Sequence, residues 1–221
     1  MEKSSTNSDK KSPKAKPGYK SQARLTKPEE IAPPFKTSVR DFVIEVVKVV
    51  VIALAIIIPV RYFLVQPFYV KGASMEPNFQ DHEYLIIDEI SYRFREPNRG
   101  EVIVVRNPQQ RKEFFIKRIV GLPGETVEIT NDRIKISSDL YPTGIIIDES
   151  SYLPENIITK GNLVTVLGDT EYFIMGDNRN ASLDSRIFGP VNDRDIIGRA
   201  WLRAWPITEW RSFSSPVYNY P

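Results

Sequence analysis

The chain has 221 residues, 41% hydrophobic and 26% charged, with no cysteine and a single histidine. That length holds one ordinary domain with appendages or two small ones, and the residue types exclude disulfides, a thiolate nucleophile, a cysteine-based zinc site and a histidine-rich metal centre. The net charge of +2 is unevenly spread: residues 1–40 carry ten Lys/Arg against four Asp/Glu, which puts +6 there and −4 on the rest.

A basic block of this kind suits nucleic acid, an anionic membrane surface or a topology signal. Its residues, up to about 38, are mostly Ser, Lys, Pro and Asn and end in "EEIAPPFKTS". They bury too little apolar surface to offset chain entropy, so a disordered tail is expected over 1–40. No internal repeat is evident.

Next comes "DFVIEVVKVVVIALAIIIPVRYFLVQPF". Its unbroken apolar run, Val49 to Val60, has 12 residues, which by itself suits a buried core helix or the apolar part of a signal peptide. Lys48 and Arg61 can extend their charges toward lipid headgroups, however, so the span extends through them. Phe42 to Val65 gives 24 residues, enough to cross a bilayer. Ala53 and Ala55 lie inside the run rather than after it, which argues against a cleavage site. The expectation is an uncleaved single-pass anchor over 41–65, with the basic tail in the cytoplasm and residues 66–221 on the far side.

Those later residues read as mainly β. "EYLIID", "EVIVVR", "EFFIKRIV", "TVEI", "NLVTVL", "EYFIM" and "IIGRAWLRAW" are short, rich in branched and aromatic residues, and separated by Gly, Pro, Asn and Asp. The absence of long amphipathic stretches among them predicts an all-β sandwich or open barrel. The more polar segment 131–161 is expected to be a small inserted subdomain.

Three stretches can carry chemistry. In "GASMEP", Ser74 follows a glycine and an alanine directly after the anchor. Such a serine is an ordinary turn residue unless something activates it. His82 lies eight residues on in the polar "QDHEY" and suits a solvated turn better than a triad. In "EFFIKRIVGLPGE", Lys117 sits mid-strand, with Phe115 on its face and Ile116 and Arg118 on the other. Its stem can simply pack while the amine reaches water. If the amine is buried instead, desolvation disfavours the ammonium and makes the lysine a base able to activate a serine. The third stretch, "GDNRNASLDSRIFGPV", concentrates Asp, Asn, Arg and Ser in a loop after a strand. It can be a self-braced solvated loop, or Ser182 can orient a lysine amine while Asp184 and Arg186 brace the loop. The Ser8–Lys11 spacing falls in the tail and is discarded.

Together these stretches resemble one family, the type I signal peptidases. "GASMEP" is similar to its nucleophile box, "NRGEVIVVRNP" to its second, "KRIVGLPGE" to its lysine box and "GDNRNASLDSR" to its last. One such box is weakly diagnostic, whereas four in order after an anchor are strongly so. The likeness covers most of 42–205 and leaves out the tail and 131–161. It implies an all-β membrane-bound serine endopeptidase with Ser74 as nucleophile and Lys117 as general base. Ser182 would hydrogen-bond the lysine, and Asp177, Arg179, Asp184, Arg186 and Arg118 would support the site. Substrate would run along Val70, Gly72, Ala73, Met75, Phe114, Phe115 and Ile116. The partners implied are signal peptides of exported preproteins, cut after small residues of Ala-X-Ala type, and the lipid bilayer. The resemblance implies neither cofactor, metal nor nucleic acid, and a monomer. Asn78, Glu101, Ala181 and Gly72 depart from frequent family residues without touching the Ser/Lys pair. A catalytically dead anchored β-domain acting as a scaffold fits the composition equally well. A soluble self-cleaving Ser/Lys repressor is disfavoured by the anchor and by the lack of a DNA-binding helix pair.

Overall fold

The computed structural model describes residues 38–63, 65–216 and 218. The tail expected to be disordered therefore lies outside the described residues up to Thr37. Helix α1 runs from Val39 to Phe63, and its described side chains face outward, with Ala53 alone half-buried. Residues Val39–Pro59 have a mean hydropathy of 2.7 and no burial against protein. The charges of this stretch, Arg40, Asp41, Glu45 and Lys48, lie in its first ten residues, and the helix is long and apolar enough to cross a membrane. The chain divides into two units inside this helix, between Val46 and Val47. The helix ends two residues earlier than expected, because Val65 to Tyr69 form strand β1.

The remaining strands are β2 (Tyr84–Asp88), β3 (Val102–Arg106), β4 (Phe114–Gly121), β5 (Thr126–Thr130), β6 (Arg133–Ser137), β7 (Ile145–Ile146), β8 (Leu163–Val166), β9 (Glu171–Met175), β10 (Val191–Asn192), β11 (Ile196–Trp205) and β12 (Arg211–Ser212). A one-turn helix, α2, spans Ser185–Phe188. The main sheet has the order β1-β2-β11-β3-β4-β9-β10, with β12 also on β11. A second sheet has the order β7-β6-β5-β8. All ladders are antiparallel. The segment read as an insertion thus supplies β6 and β7, which had no apolar run long enough to announce them.

Burial explains the arrangement. Strand β3 reads Val-Ile-Val-Val and is buried on both faces, as a continuous apolar run requires. Val102 and Val104 pack with Val70, Met75, Phe79, Leu85 and Ile87 on one face. Ile103 and Val105 pack with Ile119, Tyr172 and Ile174 on the other. A third cluster joins the second sheet to the first through Val120, Phe173 and Met175.

The sheet curls. Strands β1 and β4 are far apart in its order, yet the Phe68 and Phe114 rings meet edge to face with centroids 5.7 Å apart. Both strands present an open edge at this point. Strand β1 pairs only with β2, and β4 meets β9 only from Arg118 onward. Phe114 to Lys117 therefore keep one side unpaired, and the gap between the two edges is the site described next.

Candidate active site

Ser74 lies in the turn that follows β1. Gly72 enters that turn with φ +91°, a left-handed conformation that favours glycine, and its N–H donates to the Asp81 carboxylate at 2.9 Å. Beyond Ser74 the chain dives inward, with Met75 and Phe79 almost fully buried. The turn is held from the other side by Asn178, whose backbone N–H donates to the Ser74 carbonyl at 3.0 Å. The Asn178 side-chain amide donates to the Ala73 carbonyl at 3.1 Å.

Lys117 comes from the open stretch of β4. Its Nζ donates to Ser74 Oγ at 2.8 Å and to the Ile116 carbonyl at 2.9 Å, and it stands 5.2 Å from the Phe115 ring centroid. The residue is only 2% exposed. Burial lowers its pKa to about 8, against the pull of the Asp184 and Asp177 charges, which favour the ammonium. Desolvation wins because neither carboxylate touches the amine; each is bonded to an arginine instead.

Those arginine pairs form the frame. Arg118 grips Asp177 with two bonds, at 2.8 and 2.6 Å, and donates to the Gly100 carbonyl at 2.8 Å. Asn78 donates to Asp177 at 2.8 Å, so the residue that departs from the family pattern still contributes a bond to the frame. Arg186 holds Asp184 with two bonds of 2.8 Å, while Asp184 caps α2 and accepts the Gly176 N–H at 3.0 Å. Burial works to raise the Asp184 carboxyl, but the Arg186 and Gly176 bonds outweigh it and hold the group below its usual range. Arg179, 4% exposed, pairs with Glu149 in the irregular segment between β7 and β8.

The structure brings Ser74, Lys117, Asp177, Arg118 and Asp184 into one region and treats other expected residues differently. No hydrogen bond joins Ser182 Oγ to Lys117 among the described residues, where Nζ bonds Ser74 Oγ and the Ile116 carbonyl. The Ser182 hydroxyl is buried near the Asp184 carboxylate, which it helps to hold below its usual range. It rests against Gly176, where a Cβ would lie 2.2 Å from Ser182 Oγ and 2.4 Å from the Ser74 carbonyl oxygen. His82 is left out of the site, contacting Tyr69 Oη and lying 3.4 Å from Asp81.

Between the two strand edges is a cavity of about 100 Å³, lined mostly by apolar side chains and reaching Ser74 and Lys117. Of the residues named for substrate, Val70, Phe114, Phe115 and Ile116 line it; Phe68, Tyr69, Lys71, Leu85 and Val104 line it without having been singled out. Gly72, Ala73 and Met75 do not, and the Met75 side chain belongs to the core. Sequence reasoning also passed over Glu149, Tyr152 and Asn178, and singled out Asn78 only as a departure from the family pattern. Asn178 had a signal, since it sits inside the acidic loop between two singled-out residues.

Residues 43–205 match the family model described as "Signal peptidase, peptidase S26". The chain belongs to this family. It is 37% identical over 170 residues to the "Probable signal peptidase I-2" of Synechocystis sp., covering 74% of each chain. It is 32% identical over 179 residues to signal peptidase I P of Bacillus subtilis subsp. natto, covering 76% of this chain and 92% of that one. A crystal structure of a signal peptidase I from Enterococcus faecalis aligns with TM-score 0.39 and 27% identity, over 48% of this chain and 97% of the other. Membership of the signal peptidase family makes the protein a serine peptidase, a hydrolase.

Proposed function

We propose that this protein is a membrane-anchored endopeptidase that removes signal peptides from exported preproteins, with Ser74 as nucleophile and Lys117 as general base. The observation that carries the reading is the 2.8 Å approach of Lys117 Nζ to Ser74 Oγ at a buried, largely apolar place. With its proton lost, Nζ accepts the Ser74 hydroxyl proton, and Oγ attacks the carbonyl carbon of the scissile bond. The tetrahedral oxyanion is held by the Ser74 backbone N–H, a term worth roughly 3 kcal/mol per donor in other peptidases. The C–N bond then breaks and the leaving amine takes the proton from the Lys117 ammonium. Water attacks the resulting acyl ester, gives one proton to Lys117 and releases the signal peptide with a carboxylate end, and Ser74 regains its proton. Ser182, whose buried hydroxyl rests against the Gly176 that packs on the Ser74 carbonyl, is assigned the orienting of the amine during these transfers.

The open edges of β1 and β4 suit an extended peptide that pairs with backbone on either side. The small apolar cavity beneath suits alanine-sized side chains at the positions that point inward, the Ala-X-Ala pattern. In this reading helix α1 anchors the enzyme in a bilayer, with the basic tail on the cytoplasmic side and the β domain on the other.

Detergent-solubilised full-length protein incubated with a preprotein is expected to release mature protein cut after a small residue. Ser74→Ala, Lys117→Ala and the double variant should lose similar activity, because two residues acting as one unit do not add. His82→Ala should keep near-normal turnover. Persistent cleavage by Ser74→Ala would sink the reading.

A further inference from the structure

The span Glu149–Tyr152 belongs to neither sheet, yet it touches three supports of the nucleophile turn. The Glu149 carboxylate receives two bonds from Arg179, at 2.7 and 2.5 Å, and a third from the Tyr152 hydroxyl at 2.6 Å. Arg179 is otherwise bonded to the Gly176 carbonyl at 3.1 Å and to Thr159 Oγ1. The Tyr152 ring lies under the Arg118 guanidinium, 4.1 Å from its carbon to the centroid, and the Tyr152 carbonyl accepts the Asn78 amide at 2.8 Å. Arg179 directly follows Asn178, which holds the carbonyls of Ala73 and Ser74. Gly176 packs so closely on the Ser74 carbonyl that no Cβ fits between them. A shift of Arg179 therefore reaches Ser74 through two routes, the Asn178 bonds and the Gly176 contact.

We propose that Glu149 is a positioning residue for peptide cleavage: by holding Arg179 it fixes the 176–179 loop, and through that loop it keeps Ser74 Oγ in register with Lys117 Nζ. The proposal rests on the reading of Ser74 and Lys117 as the reacting pair. Glu149 contacts neither of them and acts only through the loop. A guanidinium buried to this depth needs a carboxylate partner, and without one it must move toward water or draw water in. Either response displaces the loop and admits solvent to Lys117, whose other charged neighbours are Asp177 and Asp184.

The test uses the full chain in detergent with a preprotein substrate, comparing wild type, Ser74→Ala and Glu149→Gln, which keeps side-chain size but removes the charge. A displacement of about 1 Å at a reacting group can cost on the order of a hundredfold. Glu149→Gln should therefore lose at least about tenfold in kcat with KM nearly constant. The acidic limb of its kcat/KM–pH profile should move upward by about half a pH unit as Lys117 regains solvent. A residue that only stabilises the fold would lower the amount of active enzyme and leave that midpoint in place. Unchanged kcat, or a loss with an unmoved midpoint, overturns the proposal. If Glu149→Gln yields no folded protein, Glu149→Asp keeps the charge but withdraws it by one methylene, and is read by the same midpoint: moved supports, unmoved overturns. Activity in Ser74→Ala would instead overturn the underlying assignment, so the two failures are separable.

Discussion

A lysine is a poor base at neutral pH because it holds its proton too well, and burial is what changes this at Lys117. With a pKa lowered to about 8, about a tenth of the amine is neutral at pH 7. The free-enzyme rate, kcat/KM, should therefore rise about tenfold for each pH unit below 7 and flatten above about 8. Lys117→Arg keeps charge and length but cannot lose its proton, so it should be inactive at every pH; appreciable turnover would mean that Ser74 uses another base. The same burial has a cost in stability. The native state binds fewer protons here than the unfolded chain between about 8 and the ordinary 10.5, so this group's contribution makes stability rise with pH across that window. Below about 8 the full penalty is present, about 3 kcal/mol. Lys117→Met should thus be inactive yet more stable in denaturant at pH 7, by up to about 3 kcal/mol, with the difference shrinking toward pH 10. A Met variant less stable than wild type at pH 7 would show that the lysine's contacts outweigh its desolvation.

At the scale of elements, the proposed reaction depends on two loops that strands deliver together. Strand β9 ends at Met175, and Gly176 then lies against the Ser74 carbonyl. Gly176→Ala would put a Cβ 2.4 Å from that backbone oxygen, which a backbone atom cannot evade cheaply. The expected result is a fall in turnover on the order of a hundredfold, with a stability loss of about 1–3 kcal/mol from overpacking. Near-normal turnover would mean that Ser74 tolerates displacement. This contact also marks the limit of what sequence reveals. Strands such as "EVIVVR" and "EYFIM" are legible because branched residues repeat at the spacing of a buried strand. Ser74 and Lys117 stand out only together, through the order of the four boxes, and the fold then brings them to 2.8 Å. The Glu149–Arg179 pair is not legible, because its partners lie 30 residues apart and Glu149, in an irregular segment, reads alone as a surface charge. Strand β1 was hidden for another reason: its apolar residues continue the helix's own run, and only the sheet decides where the helix stops. Met75 was misjudged through its neighbour, since a residue beside a nucleophile can point the opposite way, into the core.

The chain joins an apolar helix to a β domain, and the charge along it predicts which side of a bilayer each end would occupy. The 25 residues of α1 rise about 1.5 Å each, enough to cross a hydrocarbon layer of about 30 Å with some tilt. Ten Lys/Arg lie in the 40 residues at its start, and basic residues close to a span are retained in the cytoplasm far more effectively than acidic ones. The β domain should then lie outside, where exported chains emerge with the cleavage site just past their own apolar segment. Protease added to intact spheroplasts should accordingly degrade the β domain while an epitope placed before residue 38 survives until the membrane is opened. Replacing the basic residues of 1–40 with neutral ones should weaken this bias and leave a fraction of molecules inverted, with the domain protected. A domain protected in the unaltered protein, with the N-terminal epitope digested, would reverse the assignment. The Ser74–Lys117 site would then face the cytoplasm, away from the chains it is proposed to cut.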